Sequence, residues 1–241
     1  MTLINAHRGD PIGYRENTME AFQSAIALGA DMIELDVKPS RDGKAVILHD
    51  DTLTRLWNIP HRVRDLSYDE IRRLSDTKDG HIPLFEEVLN ATSTSVMVDF
   101  TEVDTVDCIV ETINRMQALE RCLIVTGNIP ALRDVRRQLP EATLGLTWND
   151  AFIPSDELIA ELSIAYFNPD WRLLERGFTA ADSHPPYDGQ EAVDFFHKQN
   201  IRVSCWTVDK EADMAFVKSL GVDAITTNDT RKLLEVLHHD R

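Results

Sequence analysis

Cysteine is scarce. Cys108, Cys122 and Cys205 are the only three in 241 residues, and none stands close enough to another to frame a zinc site or a disulfide scaffold. A reducing, cytoplasmic compartment is the expected setting. Basic residues are also in deficit, 25 Lys+Arg against 41 Asp+Glu, for a formal charge of −16. A surface of that sign repels a phosphate backbone, so no nucleic-acid partner is expected. No apolar run approaches the roughly 20 residues of a membrane span, which argues against stable membrane insertion. The opening Met-Thr-Leu-Ile-Asn-Ala-His lacks the basic start and apolar stretch of a signal peptide. Ten Gly and ten Pro fall without period, excluding collagen-like and low-complexity chains. No Ser/Gly linker or composition shift divides the chain, so residues 1–241 read as one domain.

What is present is an alternation. Short apolar runs rich in β-branched residues recur at Leu3–Ala6, Met32–Val37, Ala45–Leu48, Ser95–Phe100, Cys122–Thr126, Thr143–Thr147, Ile164–Phe167, Val203–Val208 and Ala224–Thr227. Between most of them lie amphipathic segments of helical period, including Thr18–Leu28, Val106–Leu119, Glu191–Gln199 and Asp209–Leu220. Strand and helix in alternation predict a parallel sheet covered by helices, and at this length a (β/α)8 TIM barrel. Nine runs are one more than a barrel needs, and the gap from Val37 to Ala45 is too short for a helix. Residues 52–81 break the alternation and read as a short insertion between early strands, with a helix over Tyr68–Leu74 capped by Ser67.

Polar residues gather where strands should end. Leu3–Ala6 stops at His7-Arg8, Val46–Leu48 at His49-Asp50, and Val96–Val98 at Asp99. Glu34 and Asp36 stand at i and i+2, hence on one face of a strand, roughly 7 Å apart along it. In a parallel barrel the C-terminal strand ends converge on one rim. Two histidines, one arginine and three carboxylates from four strands would share that mouth. Carboxylates so gathered repel one another unless a cation sits among them, and oxygen-only ligands select Mg²⁺ or Ca²⁺ over zinc. An ordinary half-exposed strand would instead turn Glu34 and Asp36 to water. The apolar Met32, Ile33, Leu35 and Val37 around them favour the metal.

The same residues carry a resemblance. Ala6-His7-Arg8-Gly9 with Glu16-Asn17-Thr18, then Ile33–Val37 continuing through Asp42-Gly43 to Val46–Asp50, resemble the opening signatures of the glycerophosphodiester phosphodiesterase family. Ile82–Leu89, Trp206-Thr207-Val208 and Gly221–Thr227 are similar to its later blocks, in the right order along nearly the whole chain. The resemblance implies a barrel that hydrolyses glycerophosphodiesters, small-molecule substrates, to glycerol 3-phosphate and an alcohol with a divalent cation. It implies His7 and His49 as the acid/base pair, Glu34 and Asp36 as metal ligands, Arg8 as a phosphate contact and Trp206 as a residue lining the substrate mouth. Arg8 could otherwise be a surface ion-pair partner, and Trp206 plain barrel core. Glu16-Asn17-Thr18 reads first as a helix start with Asn17 or Glu16 near the cap, and a supporting role for Glu16 near the metal stands beside that.

One place departs from the family's pattern. Where it usually reads Glu-Ile-Lys, this chain reads Asp99-Phe100-Thr101. Asp99 keeps the ligand charge on a shorter arm, while Thr101 removes a positive charge from beside the phosphate. A lysophospholipase D-type phosphodiesterase on the same barrel is an alternative that Asp99 suits; a non-catalytic phosphodiester-binding barrel finds support only in Thr101. The remaining histidines, at 61, 81, 184, 197, 238 and 239, have no motif around them and read as surface or loop residues. Cys205 reads as an apolar filler within a strand.

Overall fold

A computed structural model describes residues 1–78, 80–181 and 184–238; His239 lies outside the described residues. The strands are β1 (Leu3–His7), β2 (Met32–Pro39), β3 (Ala45–Ile47), β4 (Ser95–Asp99), β5 (Cys122–Thr126), β6 (Thr143–Trp148), β7 (Tyr166–Pro169), β8 (Arg202–Cys205) and β9 (Ala224–Thr227). Eight of these nine close a parallel barrel, because β1 pairs with both β9 and β2 while the order runs β9-β8-β7-β6-β5-β4-β2. Helices follow the barrel strands and cover their outer faces, and β2, β5, β7 and β9 are buried almost throughout, as parallel strands packed on both sides must be.

The surplus run is Ala45–Leu48. β2 outlasts the barrel wall, and its extension from Val37 to Pro39 pairs antiparallel with β3. The hairpin then doubles back, so that the Leu48 amide donates to the Asp36 carbonyl at 3.0 Å. His49 therefore reaches the mouth from a hairpin outside the barrel. The expectation that four barrel strands supply the rim residues is corrected to three: β1, β2 and β4. The length of β2 is the reason, since a strand too long for the barrel needs a partner of its own.

The described residues of the 52–81 insertion form no bare loop. They carry helices Thr54–Trp57 and Tyr68–Ser75, and Leu53, Val63 and Ile71 pack with Val46, Leu48, Ile82 and Leu84 in a cluster separate from the main core. Ser67 caps the second helix in a reciprocal box with Glu70. Helix Met19–Ala27 is capped by Thr18, whose hydroxyl accepts from the Ala21 amide at 3.3 Å, so Glu16 and Asn17 are released for other work. Cys205 is wholly buried in β8. His184 lies in a loop and is nonetheless buried, its ring against Tyr187 and Phe195.

Candidate active site

Register brings the site together. His7 stands opposite Glu34 across β1 and β2, and Asp36 stands opposite Asp99 across β2 and β4. Cross-strand partners share a face, as do Glu34 and Asp36 two apart on one strand, so all four turn into the mouth. Ligand atoms of Glu34, Asp36 and Asp99 lie within 4.8 Å of one another. They line a cavity of about 430 Å³ together with His7, Arg8, Lys38, His49, Thr101 and Trp206. Each expected site residue is therefore in one cavity.

The turn after β1 is built to hold these carboxylates. Arg8 adopts φ of +58° and Gly9 +86°, left-handed values uncommon for a bulky side chain. A Cβ on Gly9 would meet the Ala21 carbonyl carbon at 2.6 Å, so only glycine lets the turn close on helix Met19–Ala27. The twist presents the Arg8 amide to Glu34 Oε2 at 2.9 Å. The Arg8 side chain spans two carboxylates, with Nη1 2.9 Å from Glu16 Oε1 and Nε 3.0 Å from Asp36 Oδ2. Asn17, also left-handed, donates from Nδ2 to Asp36 Oδ2 at 2.8 Å. The hydrogen bonds thus fall on one oxygen each of Glu34 and Asp36.

Electrostatics follow from the crowding. Burial pushes the Glu34 carboxyl well above the usual carboxylate range, with Asp36 and Asp99 adding repulsion that Arg8 only partly offsets. Burial and the Asp36 charge lift Asp99 to about 7. Repulsion of this kind, among donors that are all oxygen, is what a hard divalent cation relieves, and the three side chains fit one.

The two histidines are held at the same edge of the ring. His7 Nδ1 is 2.8 Å from Asn228 Oδ1, and Asn228 Nδ2 donates to Asp209 Oδ2 at 2.8 Å. With the amide nitrogen committed to a carboxylate, the oxygen faces His7, which places the proton on Nδ1. Burial and the Arg8 charge push the His7 pKa down. His49 Nδ1 lies 2.7 Å from Asp50 Oδ1, and Asp50 is itself gripped by Arg55, which holds it at about 2. Arg55 also reaches Glu16 at 2.7 Å. Trp206 donates from its indole to the Asn168 carbonyl at 3.0 Å and lines the cavity.

Asn228, Arg55 and Lys38 belong to none of the motifs read in the sequence, while Asp50 is read only beside His49 and Asn17 only at a helix start. Lys38 carries a signal of its own, standing two residues beyond Asp36 on the strand that bears both carboxylates. The others hold the site through contacts that cross 19, 39 and 221 positions in the chain, or, for Asp50, from beside His49.

A sequence model of the glycerophosphoryl diester phosphodiesterase family matches residues 7–232. A glycerophosphodiester phosphodiesterase of Caldanaerobacter subterraneus subsp. tengcongensis is 31% identical over 255 residues, with 98% of each chain covered. A human lysophospholipase D is 26% identical over 268 residues, covering 97% of this chain and 85% of that one. Among solved structures, an Oleispira antarctica phosphodiesterase in complex with the product sn-glycerol-3-phosphate superposes with a TM-score of 0.81 at 21% identity, covering 98% of this chain and 97% of that one.

Proposed function

Because the chain belongs to the glycerophosphoryl diester phosphodiesterase family, we propose that it hydrolyses glycerophosphodiesters to glycerol 3-phosphate and an alcohol, by paired-histidine acid/base chemistry at a divalent cation. The observation that carries this reading is the convergence of Glu34, Asp36 and Asp99, within 4.8 Å of one another, in one cavity with His7, His49 and Arg8. The three carboxylates would hold Mg²⁺ or Ca²⁺, which would supply positive charge against the phosphate and acidify the attacking hydroxyl.

The side chains divide the remaining work. Asn228 and Asp50 occupy Nδ1 of His7 and His49, so Nε2 is the nitrogen each ring offers for proton transfer. One ring takes the proton of the attacking oxygen as the other gives a proton to the departing alkoxide, a task that suits imidazole near neutral pH. Arg8 steadies the carboxylates and turns charge toward the phosphate, and Trp206 walls the mouth on the far side of the barrel. The described strands, helices and insertion form one barrel domain around this mouth. Three buried free cysteines suit a cytoplasmic setting, and no helix among the described residues is long and apolar enough to cross a membrane.

The lysophospholipase D reading has one specific support, the 26% identity to the human enzyme of that name. Both readings meet in one assay. Release of glycerol 3-phosphate from glycerophosphocholine and glycerophosphoethanolamine, abolished by EDTA and restored by Mg²⁺ or Ca²⁺, is the expected result. Inactivity on both, with choline released from lysophosphatidylcholine, moves the protein to the second reading. Binding without turnover of any diester leaves only a phosphodiester-binding barrel.

A further inference from the structure

The cavity is acidic, and its cations can be counted. Arg8 and Lys38 are the two Lys or Arg side chains that line it among the described residues. Arg8 is shared between two carboxylates, Glu16 at 2.9 Å and Asp36 at 3.0 Å, and every side chain in that set is at most 15% exposed. Lys38 is placed differently. Its side chain is 11% exposed, and its Nζ donates to Asp51 Oδ1 at 2.8 Å and to Thr101 Oγ1 at 3.3 Å. Asp51 is 53% exposed. A carboxylate so well solvated holds a partner weakly, and a threonine hydroxyl carries no charge.

An ammonium is strongly hydrated and costly to bury, and a solvent-facing aspartate is met as well by a lysine that stays in water. The burial of Lys38 therefore points its charge into the cavity, where it already acts on the Asp99 carboxyl. With part of the Arg8 charge drawn to carboxylates, a phosphate gains from a second cation, and the lysine has three N–H groups for two acceptors.

We infer that Lys38 is a phosphate-binding residue, its ammonium exchanging Asp51 for a phosphate oxygen while Thr101 keeps it in place. This rests on the proposed phosphodiesterase reading and deepens it. It also accounts for Thr101. A lysine there would stand within hydrogen-bond reach of Lys38 Nζ, and two ammonium groups so close repel. The cation is supplied from β2, and position 101 supplies the hydroxyl that steadies it.

The test measures sn-glycerol 3-phosphate binding by calorimetry with Mg²⁺ present throughout, beside kcat and KM on glycerophosphocholine and thermal melting. Lys38→Met, which removes the charge and keeps the bulk, should weaken binding by about ten- to a hundredfold, the usual worth of a hydrogen bond to a charged group. The double variant Lys38→Thr with Thr101→Lys returns an ammonium to the same corner and should recover most of the loss, whereas Lys38→Thr alone should not. Asp51→Asn removes the competing carboxylate and should bind the monoester as tightly as wild type or more so. The inference is overturned by Lys38→Met binding like wild type, by a lowered melting temperature with affinity unchanged, or by a double variant no better than Lys38→Thr. If Lys38→Met does not fold, weaker binding by Asp51→Asn overturns it, and equal or tighter binding supports it. Diester turnover that survives in Lys38→Met with full monoester affinity sinks Lys38 and keeps the activity. Monoester affinity that depends on Lys38 in a protein turning over no diester keeps Lys38 and sinks the activity. No monoester binding by wild type sinks both.

Discussion

His7 and His49 share a cavity and little else. His7 closes β1, is laddered to β2, and rests on Asn228, which is fixed in turn by two hydrogen bonds to Asp209. His49 follows a hairpin outside the barrel, is 47% exposed, and is held by Asp50, which Arg55 of the insertion grips at 2.6 Å. From Arg55 the contacts run to Glu16, Arg8 and Asp36. One histidine is part of the barrel wall. The other is tethered to that wall by a chain of ion pairs. The difference teaches what the insertion contributes: it folds around its own apolar cluster and delivers the arginine that fixes the outer histidine. A barrel wall places a side chain by main-chain hydrogen bonds that salt does not touch, whereas a charge chain at the rim is open to screening.

The largest expected effect strikes both regions at once. Exhaustive chelation should remove turnover, and Mg²⁺ or Ca²⁺ should return it; full turnover after chelation would end the metal assignment. Next come His7→Ala and His49→Ala, each expected to lower kcat by about 10² or more, the scale of one general acid or base. Near-wild-type rates in both folded variants would remove the acid/base pair. The comparison itself is tested by the holders. Arg55→Met should lower kcat by roughly tenfold through a misplaced His49, with the fold intact. Asn228→Leu should do the same through His7, and Asn228→Asp, which keeps an acceptor oxygen, should regain part of the loss. Rising salt should erode kcat in wild type and in Asn228→Leu but not further in Arg55→Met, since only the rim link is exposed to it. Equal salt sensitivity in all three proteins would dissolve the distinction between the regions.

Much of this was legible in the chain because barrel physics writes it in period. Buried parallel strands read as short apolar runs, and Cys122–Thr126 and Ala224–Thr227 coincide with strands residue for residue. Glu34 and Asp36 declare a common face by spacing alone. What the chain could not reveal was which of nine runs lay outside the barrel, because Ala45–Ile47 is as apolar as any barrel strand. Its burial comes from the insertion, a partner that no local pattern displays. Asn228 escaped notice for a similar reason: its contact with His7 crosses 221 positions. Thr101 was readable as a missing charge, but that Lys38 stands beside it follows only from β2 and the turn after β4 lying side by side.

The smallest expected effect is on stability, and it separates the two regions by sign. In the metal-free protein Asp99 sits at about 7 and Glu34 well above its usual range, both from burial and mutual repulsion. A carboxyl raised in the folded state binds its proton more tightly there than in the unfolded chain. Below the ordinary value of about 4 both states are protonated and nothing is lost. Between about 4 and about 7 the unfolded chain ionises first, so stability falls as pH rises. Asp50 acts in the other direction. Held at about 2 by Arg55 and His49, it contributes stability above the ordinary carboxylate range that is lost as pH falls toward 2, by an amount trimmed by its partial exposure to solvent. In EDTA the melting temperature should therefore be higher at pH 5 than at pH 7.5, and lower again at pH 3. Added Mg²⁺ or Ca²⁺, which needs the ionised carboxylates, should raise it far more at pH 7.5 than at pH 5. Asp99→Asn should flatten the metal-free decline between pH 5 and 7.5 and leave the acid limb, while Arg55→Met should soften the acid limb and leave the decline. Calorimetry across those three pH values decides the matter, and a metal-free melting temperature that rises from pH 5 to 7.5 would show that the three carboxylates do not repel one another in the folded protein.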